Sequence, residues 1–139
     1  MTKVDRRIRK GARFSKQVQA FVKASEARAN EVVRKAALGI LANVVTASPV
    51  DTGRFRGNWQ VGLGERPAGT VDAEDKDGSG TVSREGPKLE GVKLGDTLYI
   101  TNNLPYGRRL EFGWSDQAPK GMVRVTLAQV NEILEEAAK

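Results

Sequence analysis

The chain is expected to be an α+β protein: a long N-terminal helix, a small antiparallel sheet with a long charged loop, a short helix and a C-terminal helix. Three observations predict this. Apolar residues recur at helical spacing from Phe14 to Val44. Two short runs, Trp59–Leu63 and Thr97–Asn103, show strand character, with apolar side chains on alternate positions and β-branched or aromatic residues among them. Helical spacing returns between Met122 and Ala138. A chain of 139 residues fits one domain, 1–139, with a basic arm at 1–14 and a flexible loop at 65–96.

The first helix is predicted over Phe14–Ala47, with Phe14, Val18, Phe21, Val22, Val32, Val33, Ala36, Ile40 and Val44 on its apolar side. Ser15 is the expected N-cap, and Pro49 forbids continuation. Gly39 weakens the helix by roughly 1 kcal/mol relative to Ala. After Pro49, Asp51 can accept backbone N–H bonds, while Gly53 and Gly57 permit close approach or positive φ. Trp59, Val61 and Leu63 then share one strand face.

Residues 65–96 contain six Gly, two Pro, thirteen charged residues and no aromatic residue, which reads mostly as loop. A short helix near Thr81–Val92, interrupted at Pro87, is a weak signal inside it. Leu98 and Ile100 mark the second strand. Leu104–Gly113 follows as a short helix, capped by Asn103, with Pro105 in the first turn and Gly113 closing it. Val123, Leu127, Val130, Leu134 and Ala137 define one face of a closing helix, although Val123–Val125 could begin as a strand.

Composition narrows the function classes. There is no Cys and no His, so disulfides, thiolate chemistry and Ser-His or Cys-His nucleophilic machinery are excluded, and a zinc site is disfavoured. No cofactor is expected. No apolar run approaches the ~20 residues that span a bilayer, and no signal-peptide core follows the basic start, so a cytosol-made, soluble protein is expected, with no membrane partner. The net charge of +6 is concentrated: residues 1–16 carry seven bases and one acid, and residues 17–139 balance at 16 of each. Arg6, Arg7, Arg9, Lys10 and Arg13 are therefore candidates for contact with DNA phosphates or an acidic protein surface. A small nucleic-acid-binding protein using this arm is the alternative function. It predicts DNA binding that weakens steeply with salt and is lost without residues 1–16.

Three motifs fall short. Gly62-Leu63-Gly64-Glu65-Arg66-Pro67 begins like a dinucleotide loop but has Pro67 at the third glycine position and no crossover helix. Asp75-Lys76-Asp77-Gly78 matches part of a calcium loop, yet Ala73 and Arg84 stand where its first ligand and bidentate glutamate belong. Asp51 and Glu111 could serve as an acid–base pair only if the fold brought them together; turn capping by Asp51 and ion pairing by Glu111 are the simpler readings. Among the aromatics, Trp59 suits a core and Trp114 an interface.

Two blocks carry a family resemblance. Ser48-Pro49-Val50-Asp51-Thr52-Gly53-Arg54-Phe55-Arg56-Gly57-Asn58-Trp59 resembles the Pro-Val-Asp-Thr-Gly block of neck and tail-completion (head–tail joining) proteins of long-tailed double-stranded-DNA phages, the group that includes minor tail protein Z. Tyr99-Ile100-Thr101-Asn102-Asn103-Leu104-Pro105-Tyr106 through Arg109-Leu110-Glu111-Phe112-Gly113, continuing with Ser115, Gln117-Ala118-Pro119 and Gly121-Met122-Val123, resembles that family's second series. Gly107 departs from it, since the family usually has Ala there. The resemblance marks Pro49, Asp51, Thr52, Gly53, Trp59, Asn103, Pro105, Tyr106, Gly113, Pro119 and Gly121 as motif residues. It implies a non-enzymatic virion protein at the head–tail junction, joining other neck and tail proteins as part of a homo-oligomeric ring of sixfold symmetry. Arg54, Arg56, Arg108, Arg109, Glu111 and Trp114 are the expected interface residues. On that reading, Glu111→Lys blocks joining while leaving a folded protein.

Overall fold

The computed structural model describes the backbone of residues 3–139 and the side chains of residues 11–139. It is α+β, as predicted. Helix α1 (Lys3–Thr46) is followed by a 3₁₀ turn at Arg56–Asn58, strand β1 (Trp59–Leu63) and helix α2 (Ser79–Glu85). A 3₁₀ segment at Gly86–Gly91, strand β2 (Leu98–Asn102) and helices α3 (Gly107–Glu111), α4 (Val123–Ala128) and α5 (Val130–Ala138) complete the order. β1 and β2 pair antiparallel, with Trp59 opposite Asn102 and Leu63 opposite Leu98.

α1 starts eleven residues before the predicted Phe14. Ser15 is consequently an interior helical residue rather than a cap, and the backbone of the predicted arm is helical from Lys3. Residues 3–14 contain no Pro, one Gly and many Lys and Arg, so nothing halts propagation once a helix has nucleated downstream. The side chains of Arg6, Arg7, Arg9 and Lys10 lie outside the described residues. Arg13 is exposed.

The C-terminal third of α1 supplies Ala37, Leu41, Val44 and Val45 to the core, which Phe55, Trp59, Val61, Leu104, Ala118 and Met122 complete with Leu89 and Val92. The last two come from the segment read as mostly loop. Residues 79–91 are instead helical, because Thr81, Glu85 and Leu89 recur at helical spacing and all three are buried. The weak signal near Thr81–Val92 was the informative one. Charge density masked it, since the charged positions between these residues, Arg84 and Lys88, both pair with Glu85.

The closing helix also differs. Gln129 (φ −102°, ψ 2°) divides it into α4 and α5, and Asn43 of α1 donates a 2.7 Å hydrogen bond to the Gln129 side chain. The division shifts the helical phase. Leu127 (63% exposed), Leu134 (44%) and Val123 (41%) face outward, and Ile133 contacts α1 at Gly39 instead. A Cβ on Gly39 would lie 2.9 Å from Ile133 Cγ2, so this glycine permits the close approach of α5 to α1. The Val123–Val125 strand alternative is overturned, because those residues form the start of α4.

Candidate functional site

The first motif block forms the corner between α1 and β1. Ser48 Oγ donates to the Val44 carbonyl at 2.7 Å and accepts the Trp59 indole N–H at 2.8 Å, tying the helix end to buried Trp59. Gly53 adopts φ +90°, and its carbonyl accepts the N–H groups of Gly57 and Asp75, each at 2.9 Å. A Cβ there would stand 2.6 Å from the Asp75 backbone. Thr52 Oγ1 accepts the Arg54 N–H at 3.2 Å. Asp51 is exposed and accepts no hydrogen bond among the described residues, so Thr52 takes the capping role expected of it.

Arg56, expected at an interface, turns inward. Its guanidinium donates to the carbonyls of Thr46, Ser48 and Lys76 at 3.0, 2.7 and 2.7 Å. It clamps the end of α1 to the segment before α2. Arg54 remains exposed.

In the second block, Asn103 does not cap α3. Its amide donates to the carbonyls of Pro67 and Gly69, both at 2.9 Å, and thereby ties the loop after β1 to the end of β2. α3 begins instead after Tyr106, leaving exposed Pro105 in the turn before it, and Gly113 (φ +89°) follows with its α-carbon against the Pro119 carbonyl. Glu111, offered as an interface residue, reaches the start of α4: its Oε1 accepts the N–H groups of Met122 and Val123 at 2.9 and 2.6 Å. A carboxylate at the positive end of a helix is stabilising. Gly121 (φ +83°) is required beside it, since a Cβ would overlap the Glu111 carboxylate.

The two blocks, about fifty residues apart in sequence, meet at one cleft of about 260 Å³. Pro49–Phe55 form one wall, and Tyr106, Leu110, Ser115 and Gln117 form the other. Gln117 closes the junction with a reciprocal pair: its Oε1 accepts the Val50 N–H at 2.9 Å and its Nε2 donates to the Val50 carbonyl at 3.0 Å. Tyr106 packs on Phe55 with ring centroids 5.8 Å apart.

Exposed aromatic and cationic side chains occur on the segment that carries the second wall and at the start of α4. Trp114 is 75% exposed, with the Arg109 guanidinium 5.1 Å from its ring. Phe112, also exposed, lies between Arg108 and Arg124 at 6.0 and 5.1 Å. Exposed Trp, Tyr and Arg together are the composition of protein-interaction hot spots, because rigid rings bury large areas at low entropic cost. Arg124 is the member that sequence reasoning missed; it joins through the helical start of α4, which the strand alternative obscured.

The structure does not unite Asp51 and Glu111. They line different clefts, and Glu111 is occupied at α4. The partial calcium loop is a helix cap: Asp75 accepts from the Thr81 N–H and hydroxyl at 2.7 and 2.6 Å and from the Gly78 N–H at 3.1 Å. Burial pushes the Asp75 carboxyl up, but these hydrogen bonds outweigh it and hold the group below the usual aspartate range.

A fully buried carboxylate escaped the sequence reading altogether. Glu85, 1% exposed, accepts the Val61 N–H at 2.7 Å, Arg84 Nε at 2.9 Å and Lys88 Nζ at 2.9 Å. Burial raises its pKa, and the Lys88, Val61 and Arg84 hydrogen bonds outweigh burial and lower it overall. The Arg84-Glu85-Lys88 spacing on a short helix was the available signal.

Among the described residues no helix is long and apolar enough to cross a membrane. No curated protein and no solved structure matches the chain. A family model does match, over residues 12–113: HK97-gp10-like, described as "Bacteriophage HK97-gp10, putative tail-component". The matched span includes the first motif block whole and the second through Gly113, and so nearly all of the cleft they form. The chain belongs to the HK97-gp10-like family of phage tail components.

Proposed function

We propose that this tail component acts in tail completion and head–tail joining, in the manner of minor tail protein Z, as a subunit of a sixfold ring at the neck of the virion. The observation that carries the reading is the meeting of the two motif blocks at one corner, fixed by the Gln117–Val50 pair and lined by Arg54 and Tyr106, with the exposed Arg109–Trp114 pair on the same segment as its second wall. A rigid corner presenting aromatic and cationic side chains suits docking onto preformed neck and tail proteins. Ring closure requires heterologous contacts whose rotation divides the circle. The role is structural; the residues that would be asked to catalyse are occupied as caps or lie apart.

The test is fractionation of phage particles with detection of this protein by immunoblot. The reading expects it in purified tails and in joined virions, with Trp114→Ala reducing incorporation. Its absence from both fractions would overturn the reading. The alternative role for the cationic arm, non-specific DNA contact, expects salt-sensitive binding to duplex DNA that is lost on removing residues 1–16.

A further inference from the structure

The two-stranded sheet has one covered edge and one open edge. On β1, the Val61 N–H donates to Glu85 and the Trp59 carbonyl accepts from Arg84, so both groups point away from β2. Directly opposed residues of an antiparallel ladder share this orientation. Ile100 and Asn102, opposite Val61 and Trp59, therefore turn their backbone groups outward, as does Leu98, opposite Leu63. The 2.8 Å bond from the Gly64 N–H to the Thr97 carbonyl fixes the same phase. Among the described residues, nothing bonds to the outward N–H or C=O of Leu98 or Ile100. Open edges are commonly blunted by charged side chains, Pro or bulges, and Leu98–Asn102 carry none of these.

A cleft of about 240 Å³ adjoins the Ile100–Asn102 end of β2. Its lining includes Ile100 and Asn102, Arg108 of α3, Val123 of α4 and the buried Trp59 and Met122. Arg108 is exposed and makes no ion pair among the described residues, and its guanidinium lies 6.0 Å from the Phe112 ring. The carboxylate of the same cleft, Glu111, is taken up by the Met122 and Val123 N–H groups. The free charge at the cleft is therefore positive, and it stands on the cleft wall itself. An occupant meets unpaired backbone groups, an apolar lining and one available guanidinium.

We propose that an extended segment of another neck or tail protein adds to the outer edge of β2 as a third strand of the sheet. Its backbone pairs with Leu98 and Ile100, an apolar side chain enters the cleft, and a carboxylate of the same segment meets Arg108. The edge selects a peptide over nucleic acid, because alternating N–H and C=O groups are matched only by another backbone. It also disfavours a second copy. The outer edge of β1 is covered, so two copies join edge to edge only as β2 on β2, a two-fold contact that closes as a dimer and builds no ring. The inference rests on the neck and tail reading above and states what the partner must present.

The test adds purified full-length protein to tails and filled heads from phage lacking this gene and measures what sediments with them. Proline at position 98 removes an outward N–H and leaves the β1–β2 ladder intact, as edge strands tolerate. Leu98→Pro is expected to weaken binding by about tenfold or more, and Arg108→Glu likewise. Leu98→Ala loses the same side chain but keeps the N–H, and should bind as the parent does. Should Leu98→Pro fail to fold, residue-resolved amide exchange on the bound parent decides. The Leu98 and Ile100 amides should then slow by about tenfold or more relative to the free protein. A parent that binds while Leu98→Pro binds equally well, or while exchange at Leu98 and Ile100 is unchanged, overturns the inference and leaves the neck and tail reading intact. Loss of binding in Arg108→Glu alone overturns strand addition in favour of a charge contact. A parent dimer in solution that Leu98→Pro abolishes overturns it in favour of pairing between copies. A parent that binds neither tails nor heads refutes the neck and tail reading and the inference with it.

Discussion

Replacing Glu85 with Ala removes the acceptor that holds together β1, α2 and the 3₁₀ segment after it. The Val61 N–H lies on a buried strand position and loses its partner, which costs about 1–3 kcal/mol for an unsatisfied buried donor. The cations are cheaper to strand. Arg84 and Lys88 side chains are 33% and 52% exposed, so water recovers much of what they lose, and their share is discounted accordingly. We expect a total of about 2–3 kcal/mol, or a drop in Tm of about 6–10 °C for a domain of this size. Glu85→Gln keeps an oxygen for Val61 and should cost about 1 kcal/mol. The pH dependence follows from the sign of the shift. The Glu85 pKa is lowered in the folded state, so its stabilisation is complete above the ordinary glutamate value of 4.5 and is lost as pH falls through the lower folded value. Urea unfolding followed by circular dichroism between neutral pH and mild acid measures both effects. A Glu85→Ala protein within about 0.5 kcal/mol of the parent would refute the assigned network, as would an acid limb unaltered by Glu85→Gln.

Gly53→Ala should lower stability by about 1–3 kcal/mol, since it forces a side chain into φ +90° and 2.6 Å from the Asp75 backbone; thermal unfolding reads this. Glu111→Lys should destabilise by about 1–2 kcal/mol, because it removes the acceptor for the Met122 and Val123 N–H groups and places a base beside Arg124. A fully stable Glu111→Lys protein that fails to join tails would reinstate Glu111 as an interface residue. Gly39→Val should loosen α5 from α1 by about 1–3 kcal/mol, visible as faster amide exchange in Val130–Ala138. Trp114→Ala should leave Tm within about 2 °C of the parent while weakening partner binding, as expected for an exposed ring.

The sequence made the fold class legible because its two periodicities are separated along the chain. It also located both motif blocks, whose Gly, Pro and Asp residues are needed for local turn chemistry. What it could not show was how those blocks meet. The Gln117–Val50 pair, the inward turn of Arg56 and the reach of Glu111 to α4 are long-range choices, and each polar side chain had an equally good local reading. Residues 79–91 were hidden for a different reason. Their helix is built around a buried carboxylate, and burial of Glu85 becomes favourable only with Val61, Arg84 and Lys88 already in place. The break at Gln129 carries no Gly or Pro, so the stripe from Val123 to Ala137 looked continuous. That break leaves Leu127 and Leu134 in solvent.

The most direct test of the account is electron microscopy of a lysate from phage in which this gene is disrupted. The account predicts DNA-filled heads lying beside separate, unjoined tails, with joining restored by supplying the intact protein. Normal joined, infectious particles in the disrupted lysate would contradict it.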